Sequence, residues 1–235
     1  MNQSRSLPLL GEEGLERLAR ARVAVFGLGG VGGAAAEALA RAGVGYITLI
    51  DGDVFDESNL NRQLLATRAT LGRQKAEVAD KRVLVINPDC VVTPVAKFIT
   101  PEDAAEFPYE DYDFIAECID SLASKAAIIA GAFRAGTPVI SSAGMGNRVR
   151  PEMITVKDVY STSGDPLARR LRSMLRAAGV TSLPVVFSDE TPLVKATPPA
   201  SVSFVPPAAG MIMAGWIVRH IALQDEKPQQ RENDC

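Results

Sequence analysis

VAVFGLGGVGGAAAEALARAGVGYITLIDGD, residues 23–53, decides how the rest of the chain is read. An apolar run ends in a glycine turn, an alanine-rich helical stretch follows, and a second apolar run closes on Asp51 and Asp53. Gly27, Gly29 and Gly32 stand as G-x-G-x-x-G between strand and helix. They permit a tight turn, let the backbone approach phosphate, and open an anion site at the helix N-terminus. Asp51 stands where a carboxylate accepts from ribose hydroxyls. The pattern marks a nucleotide site without saying which nucleotide: a redox dinucleotide and ATP both fit.

Outward from this stretch, strand-like and helix-like segments alternate. A leading helix is predicted at Leu9 to Leu18, strands at 22–26 and 46–50 with a helix at 31–42 between them, and a helix over 72–86 that Pro88 forbids to continue. Strand CVVTPVAKF (90–98), a short helix after Thr100, strand YDFIAEC (112–118), a helix over 121–135 and strand TPVISS (137–142) follow. The alternation predicts a doubly wound, Rossmann-like α/β fold, with a mostly parallel sheet, helices on both faces and ligands at the strands' carboxyl ends. From Ala143 the pattern changes. MITVKDV (153–159) alternates like a half-exposed strand, and DPLARRLRSMLRAAG (165–179) reads as a helix with Asp165 as N-cap and Pro166 at its first position. PVVFS (184–188) and SVSFV (201–205) read as strands before a C-terminal helix. The expected organisation is one domain over 1–223, with a nucleotide-binding half at about 20–142, a substrate and dimer half at about 143–223, and a disordered tail at 224–235.

The whole chain is 235 residues, 47% hydrophobic and 23% charged, with a formal net charge of -3. It is long enough to bury a core and is no polycation, so nucleic-acid binding needs a local basic patch. Three cysteines, Cys90, Cys118 and Cys235, form no CxxC pair. That excludes a four-cysteine zinc site, argues against a disulfide scaffold, and fits a reducing cytoplasm. The N-terminus carries no apolar signal core. The apolar stretch near the C-terminus is interrupted by Pro206 and Pro207 and falls short of the about 20 residues of a membrane span.

The redox alternative meets an absence. Hydride transfer asks for a proton relay, and the single histidine, His220, sits in an apolar terminal segment, while no tyrosine has a lysine four residues later. The polar groups downstream favour ATP instead. DESNLNRQ (56–63) sets amides and a guanidinium beside the nucleotide, Lys75 opens a helix, and Asp120 in ECIDS (117–121) lies at a sheet edge. Cations neutralise polyphosphate, and a single carboxylate anchors Mg²⁺.

GLGGVGG, Asp51, SNLNRQ, GRQKAE and CIDS, in this order and spacing, resemble the ThiF/MoeB/HesA superfamily, relatives of the ubiquitin-activating enzymes. VISSAGMGNR, DPLARRLR and SFVPPAAGMIMAG resemble its bacterial branch that acts on threonylcarbamoyladenosine in tRNA. The resemblance runs from about Arg5 to Leu223. It implies adenylation of a carboxylate by ATP with Mg²⁺. Gly29, Gly30 and Gly32 would lie under the phosphates, and Asp51 with Asn59 would hold the ribose. Arg62, Gln63 and Lys75 would bind the triphosphate and the transferred α-phosphoryl group, Asp120 would hold Mg²⁺, and Asp53, Asn61 and Ser121 would complete the shell. Arg5 would act across a homodimer. In the dehydratase reading the substrate's own carbamoyl group closes the ring, so no enzymic thiol is needed.

The sequence departs from this pattern at Asp165, Pro8 and Arg150. Activation of a small sulfur-carrier protein, which would bring a cysteine desulfurase or sulfur acceptor as partner, stays open, as do an ATP-binding scaffold without turnover and a bound monovalent cation. A tRNA contact is expected from Arg169, Arg172 and Arg176, which share one helix face, extended by Arg148 and Arg150. A solvated face explains those arginines equally well.

Overall fold

The computed structural model describes residues 1–163 and 166–224. The predicted disordered tail beyond Gln224 and the proposed Asp165 N-cap lie outside the described residues. The elements run α1 (Leu7–Arg20), β1 (Arg22–Phe26), α2 (Gly32–Ala42), β2 (Tyr46–Ile50), α3 (Lys75–Ile86), β3 (Val91–Val95), α4 (Pro101–Ala105), β4 (Phe114–Glu117), α5 (Leu122–Ala135), β5 (Val139–Ser142), β6 (Ile154–Asp158), α6 (Pro166–Ala177), β7 (Pro184–Ser188) and α7 (Val205–Leu223). The strands form one seven-stranded sheet in the order β3-β2-β1-β4-β5-β7-β6. All neighbours pair in parallel except β6, which runs antiparallel to β7 at the edge.

Alternate residues of each strand feed opposite faces, as a period of two requires. Val23 and Val25 pack with Ile47, Leu49, Ala35, Leu39, Met213 and Ile217 on one face. Ala24 and Phe26 pack with Ile115, Ile128, Ile129 and Leu175 on the other. Helices α1, α2, α3 and α7 therefore cover one side, and α4, α5 and α6 the other. On the first side α2 and α3 are joined at the surface by Glu37, which accepts from Arg82 Nε at 2.9 Å and from Arg41 NH2 at 2.7 Å.

Several bounds differ from the sequence reading: α1 is Leu7–Arg20 where the sequence predicts 9–18, β4 is shorter than 112–118 and β5 shorter than 137–142, and three further differences bear on the site. Helix α3 begins at Lys75 rather than at residue 72. Gly72 has a left-handed φ of +73°, and the preceding turn is pinned by Gly72 N and Phe55 N, which donate to Phe55 O and Arg73 O. Strand β3 stops at Val95, so residues 96–99 leave the sheet early. SVSFV is not a strand: 201–204 are irregular and Val205 opens α7. Pro206 and Pro207 do not interrupt that helix; they sit in its first turn, where a missing N–H loses no intrahelical bond. Among the described residues no helix is long and apolar enough to cross a membrane.

Candidate functional site

The sheet order reverses between β1 and β4, and the crevice at the carboxyl ends of these strands is where doubly wound sheets take their ligands. Gly27 follows β1 directly with φ +84°, and its N–H donates to Ile50 O at 2.8 Å. A Cβ on Gly32 would stand 1.8 Å from Gly27 O, so the first turn of α2 can close onto the end of β1 only without a side chain there. Asp51 follows β2 directly and braces both sides of the crevice. Its Oδ2 accepts from Leu28 N at 2.6 Å and its Oδ1 from Asp53 N at 2.8 Å.

The segment after Asp53 folds back over the crevice. Asp56 caps the turn 57–59, accepting from Ser58 N at 2.8 Å, while Asn59 Oδ1 accepts from Asp56 N at 3.1 Å. This reciprocal cap buries Asn59 and holds the following residues in a compact turn. Arg62 NH1 donates to Ser58 O at 2.8 Å and to Asn61 Oδ1 at 2.9 Å, which stretches its guanidinium along the rim. Gln63 is buried and its Oε1 has no hydrogen-bond partner among the described residues. Lys75, buried at the start of α3, reaches Asp53 Oδ2 at 3.0 Å. Asp120 lies just beyond β4, is exposed, and makes no hydrogen bond or ion pair with the described residues.

Together these groups line a cavity of about 360 Å³: Gly27, Gly29, Gly30, Asp51, Asp53, Asn59, Arg62, Gln63, Lys75, Asp120 and Ser121 are all on its wall. Three residues proposed from sequence are placed elsewhere. Gly32 supports the turn from behind, Asn61 turns away to donate to Ser201 O at 3.1 Å, and Arg5 is exposed on the leading turn outside its own chain's cavity. Sequence reasoning missed Lys97, Phe98 and Ile99, which also line the cavity. Their signal was the strand CVVTPVAKF itself: once β3 stops at Val95, the residues after it fall at the sheet's carboxyl edge beside Gly52.

A second cavity of about 300 Å³ lies on the other side of the Cys118–Asp120 segment. Leu122, Met145, Leu171, Val185 and Phe187 make it apolar, and Lys125, Ser141 and Ser142 lie at its floor. Cys118, expected inside a buried strand, stands one residue past β4 and borders both cavities. Burial, with Glu117 beside it, pushes its thiol well above the ordinary range. Burial likewise raises Cys90, to about 11. Both stay protonated at neutral pH and are poor nucleophiles.

The arginines proposed for nucleic acid are divided. Arg148 is buried, donating to Glu190 O at 3.1 Å and Gly144 O at 2.9 Å, so it braces the 144–150 turn instead of presenting a surface charge. Arg172 donates to Thr162 Oγ1 at 2.7 Å, and Arg176 stacks over the Tyr160 ring at 4.8 Å. Arg150 and Arg169 are exposed.

A model of the ThiF family matches residues 1–233. The chain is 38% identical over 234 residues to the tRNA threonylcarbamoyladenosine dehydratase of Bacillus subtilis, covering 92% of each protein. It is 44% identical over 169 residues to the enzyme of that name from Escherichia coli, covering 72% of this chain and 63% of that one. The crystal structure of the E. coli dehydratase in complex with ATP superposes with a TM-score of 0.87 at 35% identity, covering 94% of this chain and 93% of the other.

Proposed function

The chain belongs to the ThiF family, and on that premise we propose that it is an ATP-dependent dehydratase that cyclises threonylcarbamoyladenosine in tRNA. One observation carries the reading: a polar cavity rich in phosphate ligands and an apolar cavity share a single wall, Cys118 to Asp120. ATP takes the first cavity, a placement supported by its ring of phosphate-binding groups and by the likeness to an E. coli dehydratase crystallised with ATP. The modified nucleoside's side chain takes the second, so its carboxylate faces the α-phosphate across Asp120.

The carboxylate attacks the α-phosphorus, and pyrophosphate leaves toward Lys75, Arg62 and the Gly29–Gly30 backbone. The carbamoyl group of the same substrate then attacks the activated acyl carbon. AMP departs with the bonding pair and a carbamoyl proton passes to solvent, so one water is lost overall. Proximity within one substrate replaces an enzymic nucleophile, which agrees with a site whose nearest thiol is held protonated. That protonated thiol also weighs against a thioester relay to a sulfur-carrier protein.

The donor set fits Mg²⁺. Among the described residues Asp120 has no hydrogen-bond or ion-pair partner, and no group of three carboxylates, cysteines or histidines gathers. One carboxylate with phosphate oxygens and water is how Mg²⁺ is usually held. Bound at Asp120, it would neutralise charge developing on the phosphates. The unpartnered Gln63 Oε1 leaves one buried acceptor for a ligand's N–H or O–H. Arg5, exposed and outside its own cavity, completes the neighbour's phosphate site in a homodimer, and the enzyme works in the cytoplasm.

Bulk tRNA carrying the threonylcarbamoyl mark, incubated with the protein, ATP and Mg²⁺, tests the reading by nucleoside mass spectrometry. A nucleoside lighter by one water, formed only with ATP, is the expected result. Unchanged nucleosides from protein that demonstrably binds ATP would overturn it.

A further inference from the structure

The second cavity rests on an ion pair that neither the sequence motifs nor the proposed chemistry uses. Glu117, the last residue of β4, is fully buried, and Lys125, in the first turn of α5, is 7% exposed. Lys125 Nζ donates to Glu117 Oε2, to Ser141 Oγ at 3.3 Å and to Ser142 O at 3.1 Å. These three acceptors match the three protons of the ammonium, so none is left for a ligand. Ser141 Oγ donates to the same Glu117 oxygen at 2.6 Å. The other oxygen, Oε1, accepts from Ile119 N at 2.9 Å.

Burying both charges costs desolvation energy, and a well-packed apolar pair fills such a space as well or better. The arrangement is thus poorly explained by stability alone. Its geometry has a direction: the ends of β4 and β5 and the start of α5 are tied together, and the free carboxylate oxygen grips the backbone of the wall between the two cavities. We propose that Glu117, held by Lys125 and Ser141, is a positioning residue that sets the Cys118–Asp120 wall, and with it Asp120, between nucleotide and acceptor. This rests on the dehydratase reading for its consequence but not for its geometry.

Two double variants separate the wall clamp from the charge pair. Glu117→Gln with Lys125→Met removes both charges yet keeps an amide oxygen for Ile119 N–H. Glu117→Leu with Lys125→Met removes the acceptor as well. Hydrogen exchange over 118–121 should stay near wild type in the first and rise about tenfold or more in the second. In AMP release, kcat should fall about 100-fold in the second, the scale of a misplacement near 1 Å, and far less in the first, with KM for ATP little changed in either. Ser141→Ala, the mildest change, removes one charge-assisted bond to Glu117; it should lower kcat several-fold, with KM for ATP little changed and Tm lower by only a few degrees. Equal exchange and equal kcat in the two double variants, or an unaltered kcat in Ser141→Ala, would overturn the proposal. Failure of the dehydratase reading shows separately, as wild-type protein that forms no AMP with the modified tRNA while the exchange difference persists.

Discussion

Replacing Asp51 tests the hinge of the nucleotide crevice. Its two oxygens each accept a backbone N–H, from Leu28 at 2.6 Å and from Asp53 at 2.8 Å. The Leu28 bond is charge-assisted and partly buried, so its loss costs about 1.5–3 kcal/mol. The Asp53 amide is exposed, water replaces its partner, and that bond contributes about 0.5–1 kcal/mol. Asp51→Ala should therefore destabilise by about 2–4 kcal/mol. At about 2–4 °C per kcal/mol for a chain of this size, Tm should fall by roughly 5–15 °C. Asp51→Asn keeps one acceptor, which goes to Leu28, and should cost only about 1 kcal/mol. The same carboxylate is proposed to hold the ribose, and the two roles can be read apart. Titration calorimetry should show 2′,3′-dideoxy-ATP binding wild type about 10–100-fold more weakly than ATP, the scale of one or two tenfold steps at about 1.4 kcal/mol each. In Asp51→Ala the two nucleotides should bind nearly alike. An unmoved Tm would refute the bracing role, and a dideoxy penalty that survives in Asp51→Ala would refute the ribose contact.

Other perturbations follow from the same geometry. Asp120 bonds to nothing in the described chain, so Asp120→Ala should abolish AMP formation while leaving Tm within about 1–2 °C, the range of a surface change; undiminished turnover removes it from the mechanism. The hydrogen bond from Arg82 lowers the Glu37 carboxyl most, desolvation opposes it, and Arg41 lowers it further. A depressed carboxyl stabilises above its unfolded value and loses that contribution as pH falls through the folded one. The stability gap between wild type and Glu37→Gln should therefore be present at pH 7 and close below about pH 4; a gap that persists at pH 3 contradicts the pairing. On α6, Arg169→Ala should reduce the salt slope of tRNA binding by about 1. Arg172→Ala, which loses the Thr162 bond, should instead lower Tm; tRNA binding indifferent to Arg169 returns the helix to a solvated surface.

Much of this frame was legible because its signals are local. The bounds of β1 and β2 follow from apolar runs that stop at a glycine and an aspartate, and the pocket-lining set follows from residues just past strand ends. Where the reading failed, the deciding contact was distant in sequence. SVSFV has strand-like alternation, yet the sheet is completed without it by β6 and β7, and the two prolines after it favour a helix's first turn over a break. Arg148 looks like a surface cation until Glu190, far along the chain, is folded over it. Lys97 to Ile99 enter the cavity only because β3 ends early. The Glu117–Lys125 pair has no motif at all: both residues pass for ordinary surface charges, and only the closure of α5 onto β4 and β5 buries them.

The shared wall has a thermodynamic consequence. Any shift of Cys118–Asp120 made by a nucleotide is felt at once in the neighbouring cavity, and the reverse holds to the same degree. Linkage requires that the factor by which ATP alters the affinity for the acceptor equal the factor by which the acceptor alters the affinity for ATP. An enzyme with two separated cavities is free to bind its substrates as strangers. With three residues serving as partition for both, an occupant that moves them in one chamber changes affinity in the other by the same factor in both directions.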